Sequence, residues 1–224
     1  MRTIIALALC GALFSAPAAL GGERKVIIIT IGGNTSTDIH GVVKEGAHAD
    51  GHRMNLGKTW LKTKGNEVAS KKDAQAVMDK IDKLVGQNGG DKSKLALLVV
   101  GKSAGGVLAW NTFRLHYDEI DDFYRAALVM VDPHGSVKKD DEIGPYCKRQ
   151  DLSWPSGWPS DKSKLKVFNI YQWEKKLTGA SFPDSKVHKN IRITHDGITH
   201  STITTDGQTK KLIKAALTYI FRRK

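Results

Sequence analysis

The segment LALLVVGKSAGG (residues 95–106) fits two motifs that carry different chemistry. The first begins at Ala96 and matches A-x-x-x-x-G-K-S, a permissive form of the phosphate-binding loop, in which Lys102 would contact a phosphate. The second is G-x-S-x-G, a turn between a strand and a helix that exposes a nucleophilic serine, here Ser103. Because the two motifs assign function to different residues, the flanking sequence must decide between them.

The flanking residues favour the serine motif. A phosphate-binding loop needs a flexible, glycine-rich backbone that wraps its N–H groups around the phosphates, but residues 97–100 are Leu-Leu-Val-Val and favour the interior of a strand. The serine turn instead needs a preceding strand, a following helix and small neighbours of the serine. LALLVV predicts the strand, Gly101 and Gly105 flank the serine, and GVLAWNTF predicts the helix. We therefore expect Ser103 to be a nucleophile.

A serine nucleophile needs a base to remove its proton. In this type of site the acid follows the serine along the chain, and the histidine follows the acid. His200, in GITHSTI, comes after the last predicted strand and before the final predicted helix, so we expect it to be the base. His195, at the end of that strand, is the alternative.

The base in turn needs a carboxylate that orients it. Asp132 ends the predicted strand RAALVMVD, and the carboxyl ends of neighbouring parallel strands lie at one edge of a sheet, where α/β proteins build their sites. We expect Asp132 to be this acid. Glu174 and Asp184, which follow the predicted strand KVFNIYQ, are the alternatives.

Attack on a carbonyl also requires two N–H donors that stabilise the negatively charged oxygen. The first is expected from Ala104, the residue after the nucleophile. The second is expected from the loop after the first strand, IGGNT, at Gly33 or Asn34.

Apolar runs alternate with amphipathic segments along the chain, which predicts an α/β fold in a single compact domain. Strands without polar interruption are typical of a mostly parallel sheet that helices cover on both faces. The predicted strands are KVIIIT (25–30), LALLVVG (95–101), RAALVMVD (125–132), KVFNIYQ (166–172) and NIRIT (190–194), and the predicted helices are NLGKTWLKTKG (55–65), residues 73–90, GVLAWNTFRL (106–115) and the final GQTKKLIKAALTYIFRR.

The first 20 residues have the pattern of a secretory signal peptide: a positive Arg2, an apolar run and a small-residue A-x-A site. We therefore expect an exported protein whose domain covers residues 21–224. Removal of Cys10 would leave Cys147 alone, which excludes an intramolecular disulfide. Residues 136–164 show no periodicity and carry aromatic residues, so we expect an insertion or lid there.

The formal net charge is +12, but the basic residues are spread over all segments. No pattern of a nucleic-acid-binding module organises them, so we expect nonspecific attraction to anionic surfaces and no specific nucleic-acid binding. The stretch 38–53 holds His40, His48, Asp50 and His52. No regular spacing places these side chains on one face, so we interpret the stretch as a polar loop and expect no metal site.

The chain resembles the α/β-hydrolase superfamily in four segments: KVIIITIGGN, GKSAGG, VDPHG and THSTI. The segment VDPHG is similar to the acid position of the pancreatic-lipase and chlorophyllase branches of that superfamily. The resemblance implies a secreted serine hydrolase, of lipase or esterase type, that cleaves lipid or small acyl esters through a catalytic triad and an acyl-enzyme without a cofactor. The alternative is a catalytically inactive secreted protein of the same fold that binds an anionic surface or a partner.

Overall fold

The computed structural model describes residues 25–33, 39–49, 60–64, 68–134, 136–137, 164–172, 189–194 and 196–222. The strands in this part of the chain are β1 (Val26–Gly32), β2 (Trp60–Lys64), β3 (Val68–Ala69), β4 (Ala96–Lys102), β5 (Arg125–Val131), β6 (Ser136–Val137), β7 (Leu165–Gln172) and β8 (Lys189–Ile193). The helices are α1 (Ile39–Ala49), α2 (Lys71–Gln87), α3 (Ala104–Leu115), α4 (Tyr117–Asp121) and α5 (Gly207–Phe221), with 3₁₀ turns at Lys92–Lys94 and Ile203–Thr205.

Six strands form one parallel sheet in the order β2-β1-β4-β5-β7-β8. After β1 the chain adds β2 on one side, and it then adds β4, β5, β7 and β8 on the other side. The order therefore reverses between β1 and β4, and open α/β sheets bind their ligands at the carboxyl ends of strands at such a reversal. The predicted fold class, an α/β fold with a mostly parallel sheet flanked by helices, is confirmed. Strands β3 and β6 form a separate parallel pair.

The strand sequences are apolar throughout because both faces of the sheet are covered. Ile27, Ile29 and Ile31 point to one face and pack with α2 and α3. Val26 and Ile28 point to the other face and pack with α1 and α5. A strand that is buried on both faces has no polar side to alternate with, which explains the uninterrupted runs in the sequence.

The prediction of a helix at residues 55–65 is wrong, because Trp60–Lys64 form strand β2. This strand pairs with β1 over five residues, from Ile28 opposite Trp60 to Gly32 opposite Lys64. Trp and Thr favour strands, and the open edge of β1 supplies main-chain partners that the local sequence does not reveal. Pairing within the sheet has therefore overridden the local pattern.

The interpretation of residues 38–53 as a polar loop is also wrong for the described residues 39–49, because Ile39–Ala49 form helix α1. Ile39, Val43 and Ala47 recur every fourth residue and are buried against the sheet and α5. Five apolar residues in eleven, two of them alanines, together with two glycines, make a weak signal in the sequence. The helix is stabilised mainly by this packing, as is usual for helices of this length.

Several predictions concern residues outside the described ones: the signal peptide at 1–20, Cys147 and most of the insertion or lid at 136–164. In the part of the chain that the structure describes, no helix combines the length and the apolarity needed to cross a membrane.

Candidate active site

Ser103 lies on a sharp turn between β4 and α3, at the carboxyl edge of the sheet. Its backbone has φ 54° and ψ −129°, a conformation that residues with a side chain rarely adopt. The flanking glycines make the turn sterically feasible. A Cβ on Gly101 would collide with the carbonyl of Gly105, and a Cβ on Gly105 would collide with the carbonyl of Ile31. The turn thus requires both glycines of the G-x-S-x-G motif.

A chain of hydrogen bonds joins Ser103 to His200 and Asp132. His200 Nε2 lies 2.9 Å from Ser103 Oγ, and His200 Nδ1 lies 2.6 Å from Asp132 Oδ2. All three side chains are buried, and that of Asp132 is fully so. With Nδ1–H donating to the carboxylate, Nε2 is left as the acceptor for the serine hydroxyl. This arrangement can move a proton from Ser103 Oγ to His200 while Asp132 stabilises the imidazolium that forms.

Asp132 is held in place mainly by β7. Its backbone N–H donates to Ile170 O at 2.7 Å. Gln172 binds both carboxylate oxygens, since its backbone N–H donates to Oδ1 and its side-chain Nε2 donates to Oδ2, each at 3.1 Å. Sequence reasoning missed Gln172. The available signal was its place at the end of the predicted strand KVFNIYQ, although a glutamine there does not stand out by type.

Further backbone contacts tie the ends of the strands together. Ser103 N–H donates to Val131 O at 3.0 Å, and His134 N–H donates to Ser103 O at 3.2 Å. The ring of His134 meets that of His200 edge to face, with 5.9 Å between their centroids. The turn that carries Asp132 is therefore bonded directly to the turn that carries Ser103.

The end of β1 closes the other side of the nucleophile turn. Gly33 is buried, and a Cβ at this position would lie 2.6 Å from Ser103 Cβ and 3.1 Å from Ser103 Oγ. Ala104 is the first residue of α3, and the first N–H groups of a helix have no acceptor within it. The backbone of Gly33 and the N-terminus of α3 thus both lie next to the hydroxyl.

Lys102 ends β4 and is completely buried. Burial lowers the pKa of its ammonium group from 10.5 to about 8, and the nearby negative charge of Asp132 opposes this shift. The residues before it, Leu97 to Gly101, lie within the strand, so the phosphate-binding motif has no loop here that could surround a phosphate.

The alternatives His195, Glu174 and Asp184, and the second oxyanion candidate Asn34, lie outside the described residues. Of the histidines weighed for a metal site, His40 lies in α1, and its Nδ1 is 3.3 Å from Thr30 Oγ1. Within the described segments, no group of three or more His, Cys, Asp or Glu side chains is placed to hold a metal ion.

Comparisons with known proteins add little to this geometry. No family model and no curated protein matches the sequence. Among solved structures, the chain is similar to the phospholipase PlaB from Legionella pneumophila, which was solved in complex with thio-NAD. The two share 13% identity with a TM-score of 0.43, over 67% of this chain and 38% of the phospholipase chain. The match thus spans well under half of that protein, and likeness at this level assigns neither a family nor an activity.

Proposed function

We propose that this protein is a serine hydrolase of the α/β-hydrolase type that cleaves carboxylic esters through an acyl-enzyme. The observation that carries the proposal is the buried hydrogen-bond chain from Ser103 through His200 to Asp132. A serine hydroxyl is a weak nucleophile unless a base accepts its proton, and here the base lies at 2.9 Å with its other nitrogen on a carboxylate. The strained turn that presents Ser103 further supports this assignment.

In the first half of the reaction, Ser103 Oγ attacks the ester carbonyl and His200 Nε2 takes the hydroxyl proton. The C–O bond to the leaving group then breaks, and the imidazolium returns the proton to the departing alcohol. The serine is left acylated. In the second half, His200 takes a proton from water, the hydroxide attacks the acyl group, and the acid is released as Ser103 regains its proton.

The negative charge that develops on the carbonyl oxygen needs donors already in place. We assign one donor to the N–H of Ala104 at the start of α3, where the positive end of the helix dipole adds to the effect. We assign the second to Gly33 or Asn34. The close approach of Gly33 to Ser103 supports a donor from the end of β1.

The substrates that we propose are lipid or small acyl esters, and no step of this reaction needs a cofactor. Every proton transfer uses His200, and every charge that forms faces a carboxylate or a backbone N–H. The region 136–164, whose aromatic residues include Tyr146, Trp154 and Trp158, is the proposed wall or lid over the acyl chain.

The test uses purified chain, p-nitrophenyl esters of several acyl lengths, and a fluorophosphonate probe that modifies activated serines. We expect ester turnover, and probe adducts at Ser103 when modified peptides are mapped by mass spectrometry. Ser103→Ala should abolish both signals. Ser201→Ala, a change of an exposed serine beside His200 in the sequence, should leave the adduct in place. Wild-type protein that neither turns over any ester nor reacts with the probe would refute the proposal.

We also propose that the protein is exported, on the signal-peptide pattern of residues 1–20. Expression of the full chain in a secreting host, followed by N-terminal sequencing, tests this. A mature N-terminus close to residue 21 in the medium is expected. Retention inside the cell with Met1 intact would contradict it.

A further inference from the structure

Among the described residues, one neighbour besides His200 forms a side-chain hydrogen bond with the carboxylate of Asp132. That neighbour is Gln172, whose Nε2 lies 3.1 Å from Oδ2, the same oxygen that lies 2.6 Å from His200 Nδ1. Gln172 is only 2% exposed, so water does not compete for this contact. Its backbone N–H occupies the other oxygen, Oδ1, at 3.1 Å.

Two contacts from one residue fix the orientation of a carboxylate. Each contact restricts rotation about the Cβ–Cγ bond, and together with the His200 contact the two limit which lone pair of the carboxylate faces the imidazole. With Oδ1 and Oδ2 both bound by Gln172, the plane of the carboxylate is set by β7. Since Asp132 N–H also donates to Ile170 O, the whole residue is attached to this strand.

We infer that the side chain of Gln172 is a positioning residue of the site, which holds Asp132 in the orientation that His200 requires. The expected effect on kcat rests on the proposed function. The effect on geometry concerns only the Asp132–His200 pair. The contacts that define this role are those of Gln172 with the carboxylate of Asp132. Gln172 acts through the carboxylate, in the way that residues behind a catalytic group commonly fix its geometry.

The variant Gln172→Met isolates the side-chain contact. It keeps the length and approximate volume of the side chain and the backbone N–H to Oδ1, and it removes the donor to Oδ2. Hydrogen bonds to charged groups are the strong ones, so we expect kcat to fall by about 10- to 100-fold. We expect KM to change by less than about twofold, because the interaction lost is not one with the substrate.

Gln172→Glu is the second variant. It is close to isosteric but places an acceptor where Asp132 needs a donor, so we expect a fall in kcat at least as large. Asn169→Leu is the matched control, because Asn169 is a fully buried amide on the same strand whose side chain bonds to Asn190, 2.9 Å away. It should leave kcat unchanged in protein that remains folded.

A readout that does not depend on activity separates this inference from the proposed function. A proton held between His200 Nδ1 and a carboxylate gives a low-field proton NMR signal, which should be present in the wild type and in Asn169→Leu. It should be shifted or lost in Gln172→Met. If the wild type hydrolyses no ester, the proposed function fails, and this signal alone tests the positioning role.

The inference is overturned if Gln172→Met retains the low-field signal unchanged. It is also overturned if the wild type is active and Gln172→Met has a kcat within about twofold of wild type, the range expected for loss of packing alone. Loss of the signal together with a fall in kcat that Asn169→Leu does not share supports it.

Discussion

Ser103 and Asp132 both have a positive φ, 54° in Ser103 and 48° in Asp132, and each is the first residue after its strand, β4 and β5 respectively. In the described part of the chain they are the two residues other than glycine with a positive φ. Each such conformation costs about 1 to 3 kcal/mol and persists only where its surroundings impose it. Here the contacts that impose it are two hydrogen bonds. Ser103 N–H donates to Val131 O, and Asp132 N–H donates to Ile170 O.

Replacement of Asp132 by Asn should remove activity without unfolding the protein. Asn tolerates a positive φ, so the turn can persist. The neutral amide, however, no longer stabilises the imidazolium, and it favours the wrong tautomer of His200. We expect kcat to fall by about 10³- to 10⁴-fold, with thermal unfolding within a few degrees of wild type. If kcat stayed within tenfold of wild type, the acid would have to be sought at Glu174 or Asp184.

The variant Gly33→Ala should impair catalysis more than stability. The added Cβ would lie 2.6 Å from Ser103 Cβ, so either the serine or the end of β1 must move. Misplacement of the nucleophile or of an oxyanion donor should lower kcat by about 10²-fold or more.

The control for this prediction is Gly86→Ala in α2, where a Cβ meets nothing within 4 Å. This variant should keep full activity and gain about 0.5 to 1 kcal/mol of stability, because alanine favours a helix. Equal kcat values for Gly33→Ala and Gly86→Ala would argue against a role of the β1 end in the site.

Gly105→Ala should destabilise the fold itself. Its Cβ would lie 2.6 Å from the carbonyl carbon of Ile31 and closer still to the oxygen, and these backbone atoms cannot rotate away. Helix α3 would have to move off β1, which we expect to cost about 3 kcal/mol in the free energy of unfolding. Urea denaturation measures this cost, with Gly207→Ala, where a Cβ has open space, as the comparison. A loss below about 0.5 kcal/mol would show that the close approach of α3 to β1 is not maintained in solution.

Lys102 makes the stability of the protein depend on pH in the alkaline range. Its pKa is about 8 in the folded chain, and in the unfolded chain it has the ordinary lysine value of 10.5. Between these values the unfolded chain binds a proton that the folded chain does not, so the free energy of unfolding rises with pH. Below about pH 8 both states are protonated, and the cost of burying the charge is present in full.

The comparison with Lys102→Met isolates this effect, since Met cannot titrate. The unfolding free energy of wild type minus that of the variant should increase from pH 7.5 to pH 10.5, by at most about 3 kcal/mol given about 1.4 kcal/mol per pKa unit. Urea unfolding at several pH values provides the measurement. A difference that stays constant over this interval would mean that Lys102 is hydrated in the folded state.

The central strands could be predicted from the sequence because burial on both faces leaves uninterrupted apolar runs. Strands β1, β4, β5 and β7 begin and end within about two residues of their predicted bounds, a typical error for element ends. The edge strand β2 and helix α1 were predicted wrongly. Their local patterns are weak, and partners distant in the sequence decide their structure.

The candidate site was only partly accessible to sequence reasoning. Ser103, Asp132 and His200 could be nominated because the chemistry needs particular residue types at strand ends, and the structure brings these three side chains together. Gln172 could not be nominated in this way. Its contact with Asp132 exists because β7 lies beside β5, and the order of strands in a sheet is not written in the local sequence.

The two hydrogen bonds of the site join positions that are 97 and 68 residues apart in the chain. Contacts of such long range close large loops, and the entropy of loop closure makes them slow to form. The site also needs the sheet edge and the C-terminal segment in place together, so we expect it to be completed late in folding. During refolding, secondary structure should therefore return before hydrolytic activity, and the interval between the two should measure how long the C-terminal segment that carries His200 takes to dock. Activity would then report the completion of folding and not merely its progress.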